Sequence, residues 1–597
     1  MTLAERATGG AGVLSPENVR RLTVPTILLV VVGMFGAFGP GTWPFVATFG
    51  VVQALLALSV GMLFGRAGLL SLCPLGFAAI SVWVVLWFNT NARLPFLIMV
   101  LIGALAAVPA GVLVGGLAVR LRGVNLAIVT LAFGTAIVAF VSRHNFPGIL
   151  DNPDEIQGVR PDGFDSHRVY FVLGFLILVA TGVALEWLGR RRPGQAWRAV
   201  RSSERATAAA GFSVPRVKLS AFVVSAFIAG LGGGIYAGQL EGSVDVRSFG
   251  ALLSLGIVAA ALLFGAQSLS GALVAGFLGA LIPEFMRRRG WAVEYPQILF
   301  GIGAIHALSQ GGGGISATFP WRRPRPSTRA APSPPPALAE SVVEVDGSPL
   351  LEVDNITVRF GALAALDKVD FSVPPGQVVG VIGPNGAGKS TLVDAVCGFV
   401  AYDGRISIRG ESIDGRSATA RARAGVRRTF QQGRAIAELT VGEFINLYCS
   451  SPPSPDELDE LLGFFGLPPA DQPIVFIDVG TRRILEVAAA VVARPALAFL
   501  DEPTAGLGAE EAAALGERIR EIPARFGCSV VVIEHNVELV ANICSHITVL
   551  DFGVVLARGT PDDVLADSRV AAAYLGEEIE PAGEPVAGEP VAGGGGQ

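Results

Sequence analysis

Ten apolar, nearly uncharged stretches between Val24 and Leu308 constrain this chain more than anything else in it. They are Val24–Phe38, Phe45–Gly65, Leu69–Phe88, Pro95–Val119, Val124–Val141, Tyr170–Leu188, Leu219–Leu240, Gly250–Gly265, Gly271–Met286 and Tyr295–Leu308. A backbone inside hydrocarbon must satisfy its own N–H and C=O groups, so runs of this kind fold as helices packed on one another. Several fall below the roughly 17–25 residues that cross a bilayer, which predicts short or broken helices among them. Glycines and prolines inside GLGGGIYAG and CPLGF are tolerable where neighbouring helices re-satisfy the backbone.

The charges sort the connections. Arg20, Arg21, Arg66, Arg120 and Arg122 mark alternate loops as cytoplasmic, and Gly189–Lys218 carries eight basic residues against Glu204 alone. Basic loops stay inside. The segment 142–169, with Asp151, Asp154, Glu155, Asp162 and Asp165, reads as external. Ten spans with both ends inside fit this parity, apart from Arg287–Arg289; the expectation is nine to eleven, with the count least secure after Gly250. Residues 1–23 are polar and read as a cytoplasmic segment without a cleaved signal peptide.

Hydrophobic residues make up 51% of the 597 and charged residues 16%, too apolar for an ordinary soluble protein. A net charge of −5 gives no reason to expect nucleic acid as a partner. Cys73, Cys397, Cys449, Cys528 and Cys544 form no CxxC pair, which disfavours both a disulfide framework and a zinc site. The expected layout is a helical transmembrane domain over 24–310 and a Gly/Pro/Ser linker over 311–349. A soluble α/β domain follows over 350–579, then a low-complexity tail, 580–597, read as disordered.

Within the α/β domain, VVGVIGPNGAGKST (Val378–Thr391) has the G-x-x-x-x-G-K-[ST] spacing between an apolar strand and a helix. Gly383, Pro384, Asn385, Gly386, Ala387 and Gly388 form a loop whose amides turn toward phosphate oxygens. Lys389 adds a point charge, Ser390 a hydroxyl for Mg²⁺, and Thr391 continues the helix N-terminus. These residues predict an ATP site. ALAFLDEP then places Asp501 at a strand end to hold Mg²⁺ through water, and Glu502 to polarise an attacking water as general base. His535, closing SVVVIEHN, has a spacing that suits a γ-phosphate contact; by itself it would read as structural. Gln431 in RRTFQQ is placed to reach metal and water, and Phe360 in VRFGALAALD to stack on adenine, although a core phenylalanine is the default there.

RTFQQGRAIAELTVGEFI, LDEPTAGLG, IEHNVELV and GTPDDVLADSRVAAAYLGE together resemble the ATPase subunit of branched-chain amino-acid importers of the ABC type. In the first half, GRAGLLSLCPLGFAAI, VRLRGVNLAIVTLAFG and VKLSAFVVSAFIAGLGGGIYAG resemble the permease subunit of the same family. QAWRAVRSSERATAAAGFSVPRVK is similar to its cytoplasmic coupling loop. The implied fold is an α-helical polytopic membrane domain of about ten spans followed by an α/β P-loop ABC ATPase domain. By this resemblance Phe360 stacks adenine, Gln431 couples to the metal, Glu502 is the catalytic base and His535 the switch histidine. ATP and Mg²⁺ are the implied cofactors. The implied partners are a second permease/ATPase half, identical or sister, an extracytoplasmic solute-binding protein and a small solute, with the chain in the plasma membrane and its ATPase cytoplasmic. Urea or short amides are an alternative solute class. An exporter half-transporter is an alternative architecture, against which the short, Gly-rich spans argue, and a non-transporting ATP-dependent receptor or scaffold is a third. Cys73 stands where the permease pattern has a glycine, and ILDNPDEIQGV is more acidic than that pattern; both bear on the solute rather than the fold.

FIDVGTRRILEVA (Phe476–Ala488) takes the place of the family's L-S-G-G-Q signature loop, which binds the γ-phosphate on the opposite ATPase. Aligned on Gly480 and Glu486, the serine place is Asp478 and the glutamine place Thr481. As an N-cap, Asp478 would occupy the amides a phosphate uses; facing ATP, it would repel the phosphate. Both readings expect a weakened composite site, against one in which Thr481 and Gly480 substitute.

Overall fold

The computed structural model describes residues 16–92, 94–143, 164, 166–240, 246–292, 295–309, 313–319, 324–335, 348–431, 433 and 435–575. The acids Asp151, Asp154, Glu155, Asp162 and Asp165, the linker residues 336–347 and the tail lie outside the described residues. Contacts divide the chain into two units, one running to Pro326 without Ala208–Gly211, the other comprising Ala208–Gly211 and Ser327 onward.

The first unit is helical. Its helices are α1 (Pro16–Phe38), α2 (Trp43–Gly61), α3 (Pro74–Asn91), α4 (Phe96–Ala118), α5 (Gly123–Arg143) and α6 (His167–Arg190). These are followed by α7 (Arg192–Ser202), α8 (Glu204–Ala209, whose last two residues belong to the second unit), α9 (Val214–Gln239), α10 (Ala251–Phe264), α11 (Leu269–Arg288) and α12 (Tyr295–Ser309). Each apolar stretch of the sequence falls on one of them, while the count of about ten spans is not confirmed. Among the described residues, seven helices are long and apolar enough to cross a membrane: α2 with the π turn that extends it to Arg66, α3, α4, α5, α6, α9 and α11. α10 is a shorter apolar helix of 14 residues, and α12 has 15. At ~1.5 Å per residue such helices reach roughly 20–23 Å, short of the ~30 Å hydrocarbon layer.

Close backbone approach holds this unit together. A Cβ on Gly233 of α9 would lie 2.3 Å from the Ala78 carbonyl oxygen of α3, and one on Gly276 of α11 would lie 2.3 Å from the Ala54 nitrogen of α2. Between helices in lipid, dispersion and small-residue packing replace the hydrophobic drive available in water. Between α2 and α3 the backbone unwinds over residues 68–73. Its polar groups are met by side chains of other helices: Leu72 N–H donates to Thr130 Oγ1 at 2.9 Å, and Ser254 Oγ donates to the Leu72 carbonyl at 2.9 Å. Cys73 is fully buried there, and its Cβ sits 3.1 Å from where a side chain on Gly134 would start. Lys218 is a buried cation, 1% exposed, paired with Glu204 at 2.7 Å; Glu204 also takes Arg122 at 2.6 Å. Pairing is what makes such burial tolerable.

The second unit contains two sheets. Its strands are β1 (Leu351–Phe360), β2 (Leu363–Val373), β3 (Val378–Ile382), β4 (Asp403–Ile408), β5 (Glu411–Ser412) and β6 (Val426–Arg428), then β7 (Leu497–Asp501), β8 (Ser529–Ile533), β9 (His546–Asp551) and β10 (Val554–Gly559). An antiparallel sheet has the order β2-β1-β4-β5, and a six-stranded sheet the order β10-β9-β3-β8-β7-β6, parallel except for the edge strand β10. β3, β7 and β8 are buried along their whole length, as strands covered on both faces must be. The helices are α13 (Lys389–Val396), α14 (Ala418–Arg423), α15 (Val441–Tyr448), α16 (Pro455–Phe465), α17 (Val479–Val491), α18 (Ala509–Phe526), α19 (Val537–Ile543), α20 (Pro561–Leu565) and α21 (Ser568–Leu575). Within this unit Arg427 donates to the Ala209 carbonyl at 2.8 Å and Arg423 to that of Gly211 at 2.9 Å. Four residues of the segment likened to a coupling loop, Ala208–Gly211, thus fall in the unit that carries the ATPase motifs.

Candidate ATPase site

The phosphate loop joins β3 to α13 at the carboxyl edge of the parallel sheet, where open α/β sheets bind ligands. Gly383, Gly386 and Gly388 have φ of +148°, +87° and +101°, a backbone that L side chains rarely adopt and that lets consecutive amides curl inward. Gly388 precedes Lys389, the first residue of α13. The Lys389 ammonium donates to the carbonyls of Gly383 (2.6 Å) and Pro384 (2.8 Å), closing the loop on itself. Burial lowers its pKa, opposed by the charges of Glu502 and Asp501.

A cavity of about 270 Å³ opens beside the loop. It is lined by Asn385 to Thr391 and, from other strands, by Ala365, Gln431, Asp501, Glu502, Ile533 and His535. The acid pair ends β7. Asp501 is 3% exposed, and burial raises its pKa against the lowering effect of Arg428. Glu502 turns out of the strand at φ +48°, a left-handed conformation unusual for a non-glycine residue. Its N–H still donates to the Ile533 carbonyl at 2.8 Å, so the turn swings the side chain without losing the bond to the neighbouring strand. The Glu502 Oε1 atom accepts from Gln431 Nε2 at 2.9 Å and lies 2.9 Å from His535 Nε2.

The structure therefore brings the sequence-predicted Lys389, Ser390, Gln431, Asp501, Glu502 and His535 around one cavity. Gly383 and Pro384 lie behind it, holding Lys389. Phe360, at the end of β1, is 54% exposed, with its ring free of the core. Asp478, Gly480 and Thr481 do not line this cavity. Asp478 is the N-cap of α17: Oδ1 accepts the Thr481 N–H at 2.8 Å and Oδ2 the Thr481 hydroxyl at 2.6 Å. Hard oxygen donors suited to Mg²⁺ (the Ser390 hydroxyl, the Gln431 amide and the Asp501 carboxylate) stand on the same cavity wall.

Three further residues hold this site and were not singled out by the sequence. The Thr429 hydroxyl accepts the Asp501 N–H at 2.9 Å. Arg428 bridges Asp394 of α13 and Asp501. Glu534, next to His535, accepts both the N–H (2.9 Å) and the hydroxyl (2.6 Å) of Thr504. Arg428 lay in the quoted RRTFQQ, and a charged pair closing a buried strand is the signal that marks it.

The chain resembles known proteins along most of its length. Residues 44–308 match the family described as the branched-chain amino acid transport system permease component. Residues 366–505 match the ABC transporter family, and 554–580 the branched-chain amino acid ATP-binding cassette transporter family. The high-affinity branched-chain amino acid transport ATP-binding protein BraF of Pseudomonas aeruginosa is 35% identical over 254 residues, 38% of this chain and 98% of the relative. LivG of Escherichia coli K12 is 34% identical over 253 residues, again 38% and 98%. A solved nucleotide-free ATP-binding cassette from an ABC transporter shares 28% identity, 38% of this chain and 99% of its own, with a TM-score of 0.35. With a permease domain and an ATPase that hydrolyses ATP to drive transport on one polypeptide, the chain belongs to the branched-chain amino acid family of ABC transporters.

Proposed function

We propose that this chain is one fused half of an ATP-driven importer for branched-chain amino acids or related small polar solutes. In this reading it sits in the plasma membrane as a multi-pass protein with its ATPase on the cytoplasmic side. It works with a second permease/ATPase half and an extracytoplasmic solute-binding protein. The observation that carries the reading is the convergence of Gln431 and His535 on the Glu502 carboxylate beside the phosphate loop, in a chain whose other half matches a branched-chain permease. Lys389 and the loop amides hold ATP phosphates, and Phe360 stacks the adenine. Ser390, Gln431 and Asp501 hold Mg²⁺ directly or through water, and Glu502 draws the proton from the attacking water. The site residues act by position and charge more than by covalent chemistry.

Two alternatives fix the experiment. A urea or short-amide importer shares this machinery and differs in the solute, and an exporter half needs no binding protein. ATPase activity of the chain with its partner half in proteoliposomes, with binding protein loaded in turn with leucine, isoleucine, valine or urea, separates them. Stimulation by a loaded binding protein with uptake of its solute is the expected result. ATPase activity indifferent to every loaded binding protein would overturn the importer reading.

A further inference from the structure

We infer that Arg428 is a positioning residue for hydrolysis, fixing the Asp501 carboxylate to the phosphate-loop helix so that one of its oxygens is left for the cation that accompanies ATP. The inference rests on Asp501 as the cation-holding acid.

Arg428 is the last residue of β6, paired in parallel register with Phe499 of β7, two residues before Asp501. Its side chain is 4% exposed. The guanidinium donates to Asp394 Oδ1 of α13, to Asp501 Oδ2 at 3.2 Å and, through Nε, to the Thr429 carbonyl at 3.1 Å. It lies over the Phe430 ring, 4.4 Å from its centroid, with Phe399 at 5.8 Å. The planar fork is thus used on both edges and its face is packed, a geometry that a lysine point charge cannot copy.

Two consecutive residues therefore grip Asp501. Thr429 accepts its backbone N–H, and Arg428 takes Oδ2 of its side chain. The same arginine reaches the helix that begins with Lys389 and Ser390, five and four residues before Asp394. The strand bearing the acid and the helix bearing the hydroxyl are tied at a fixed separation, and Gln431 follows three residues along the chain. Ligating carboxylates are oriented by partners of this kind, and losing such a partner weakens metal binding by roughly 10–100-fold.

The test uses the full chain and Mn²⁺ as a paramagnetic stand-in, titrated by electron paramagnetic resonance with a non-hydrolysable ATP analogue present. Analogue binding in EDTA serves as the control for folding. Arg428→Met/Asp394→Asn removes the bridge without stranding a carboxylate on α13. The Mn²⁺ Kd should rise about tenfold, with analogue affinity in EDTA within about twofold of wild type. Arg428→Lys should fall between the two, and decides the question alone if the double variant does not fold. A Mn²⁺ Kd within about twofold of wild type in folded Arg428→Lys and in the double variant would overturn the inference. Asp501→Asn separates the two readings: if it too leaves Mn²⁺ binding intact, Asp501 is not the cation-holding acid, whereas weakened binding there alone refutes only the role of Arg428.

Discussion

Glu502 shows how much of the chemistry depends on one residue's backbone. A left-handed non-glycine residue costs on the order of 1–3 kcal/mol, and it persists where the surroundings over-determine it. Here β7 delivers Asp501 inward and buried, and the φ of +48° at the next residue aims a second carboxylate at Gln431 and His535. Glu502→Gln keeps the size and the turn but removes the basic oxygen. Phosphate release should fall at least ~100-fold while ATP binding persists, as expected for loss of a general base. Turnover above about a tenth of wild type would mean that another group activates the water. The glycine spacing of the phosphate loop, Lys389, the acid pair and His535 were legible in the sequence because backbone geometry and strand ends leave a spacing. Thr429 and Asp394 were not, since their roles come from which strand lies beside which, and a single strand's pattern does not record its neighbour.

At the scale of elements, α17 and the linker carry the surprises. α17 is tied to residues on either side of Gln431: Arg483 donates to the Phe430 carbonyl at 2.5 Å, and Glu486 accepts the Ala435 N–H at 2.8 Å. The helix capped by Asp478 and the loop whose Gln431 reaches Glu502 are thus joined by two hydrogen bonds. The linker reads from composition as a tether without core-forming residues, yet residues 327–333 are held against the α16 region. Ser327 N–H donates to Gln472 at 2.6 Å, its hydroxyl to Asp471 at 2.8 Å, and Arg329 pairs with Asp459 at 2.7 Å. These bonds are polar or use backbone groups, so hydropathy could not reveal them. The Arg329 pair is exposed and worth ~0–1 kcal/mol at most, so the more telling handle is Gly463, where a Cβ would fall 2.1 Å from the Ser333 carbonyl. Gly463→Val should displace the strap and speed trypsin cleavage after Arg329 several-fold, as expected when a protected segment opens. An unchanged cleavage rate would show that the strap is not held through this contact. The ten apolar stretches all became helices, and seven helices among the described residues are long and apolar enough to cross a membrane; the periodicity of an apolar run does not say whether 14 residues cross a membrane or stop inside it.

For the molecule as a whole, the decisive point is that one chain carries one phosphate loop and one signature loop, and its own Asp478, Gly480 and Thr481 do not line its own cavity. In the proposed assembly they would complete the partner's site, where the chemistry of Asp478 would set which of two ATP molecules is hydrolysed. Its carboxylate takes both the amide and the hydroxyl of Thr481, two donors that a γ-phosphate would use. Those bonds hold its pKa below the usual carboxylate value. With a depressed folded-state pKa, the cap's contribution is fully present above the unfolded value of ~3.9 and is lost only as pH falls through the folded one. Between pH 6 and 8 the charge does not titrate, so acidifying within that range should not relieve the block. Asp478→Ser keeps a capping oxygen and removes the charge, and Asp478→Ala removes both, at about 0.5–2 kcal/mol of stability for the lost cap. Both should raise ATPase turnover of the assembled transporter, equally at pH 6 and pH 8, while only the alanine variant lowers the Tm. That split assigns the effect to charge and occupied donors rather than to helix stability. If Asp478→Ser leaves turnover where it was, the two sites are not made unequal by this residue, and the variant loop is a working form of the signature.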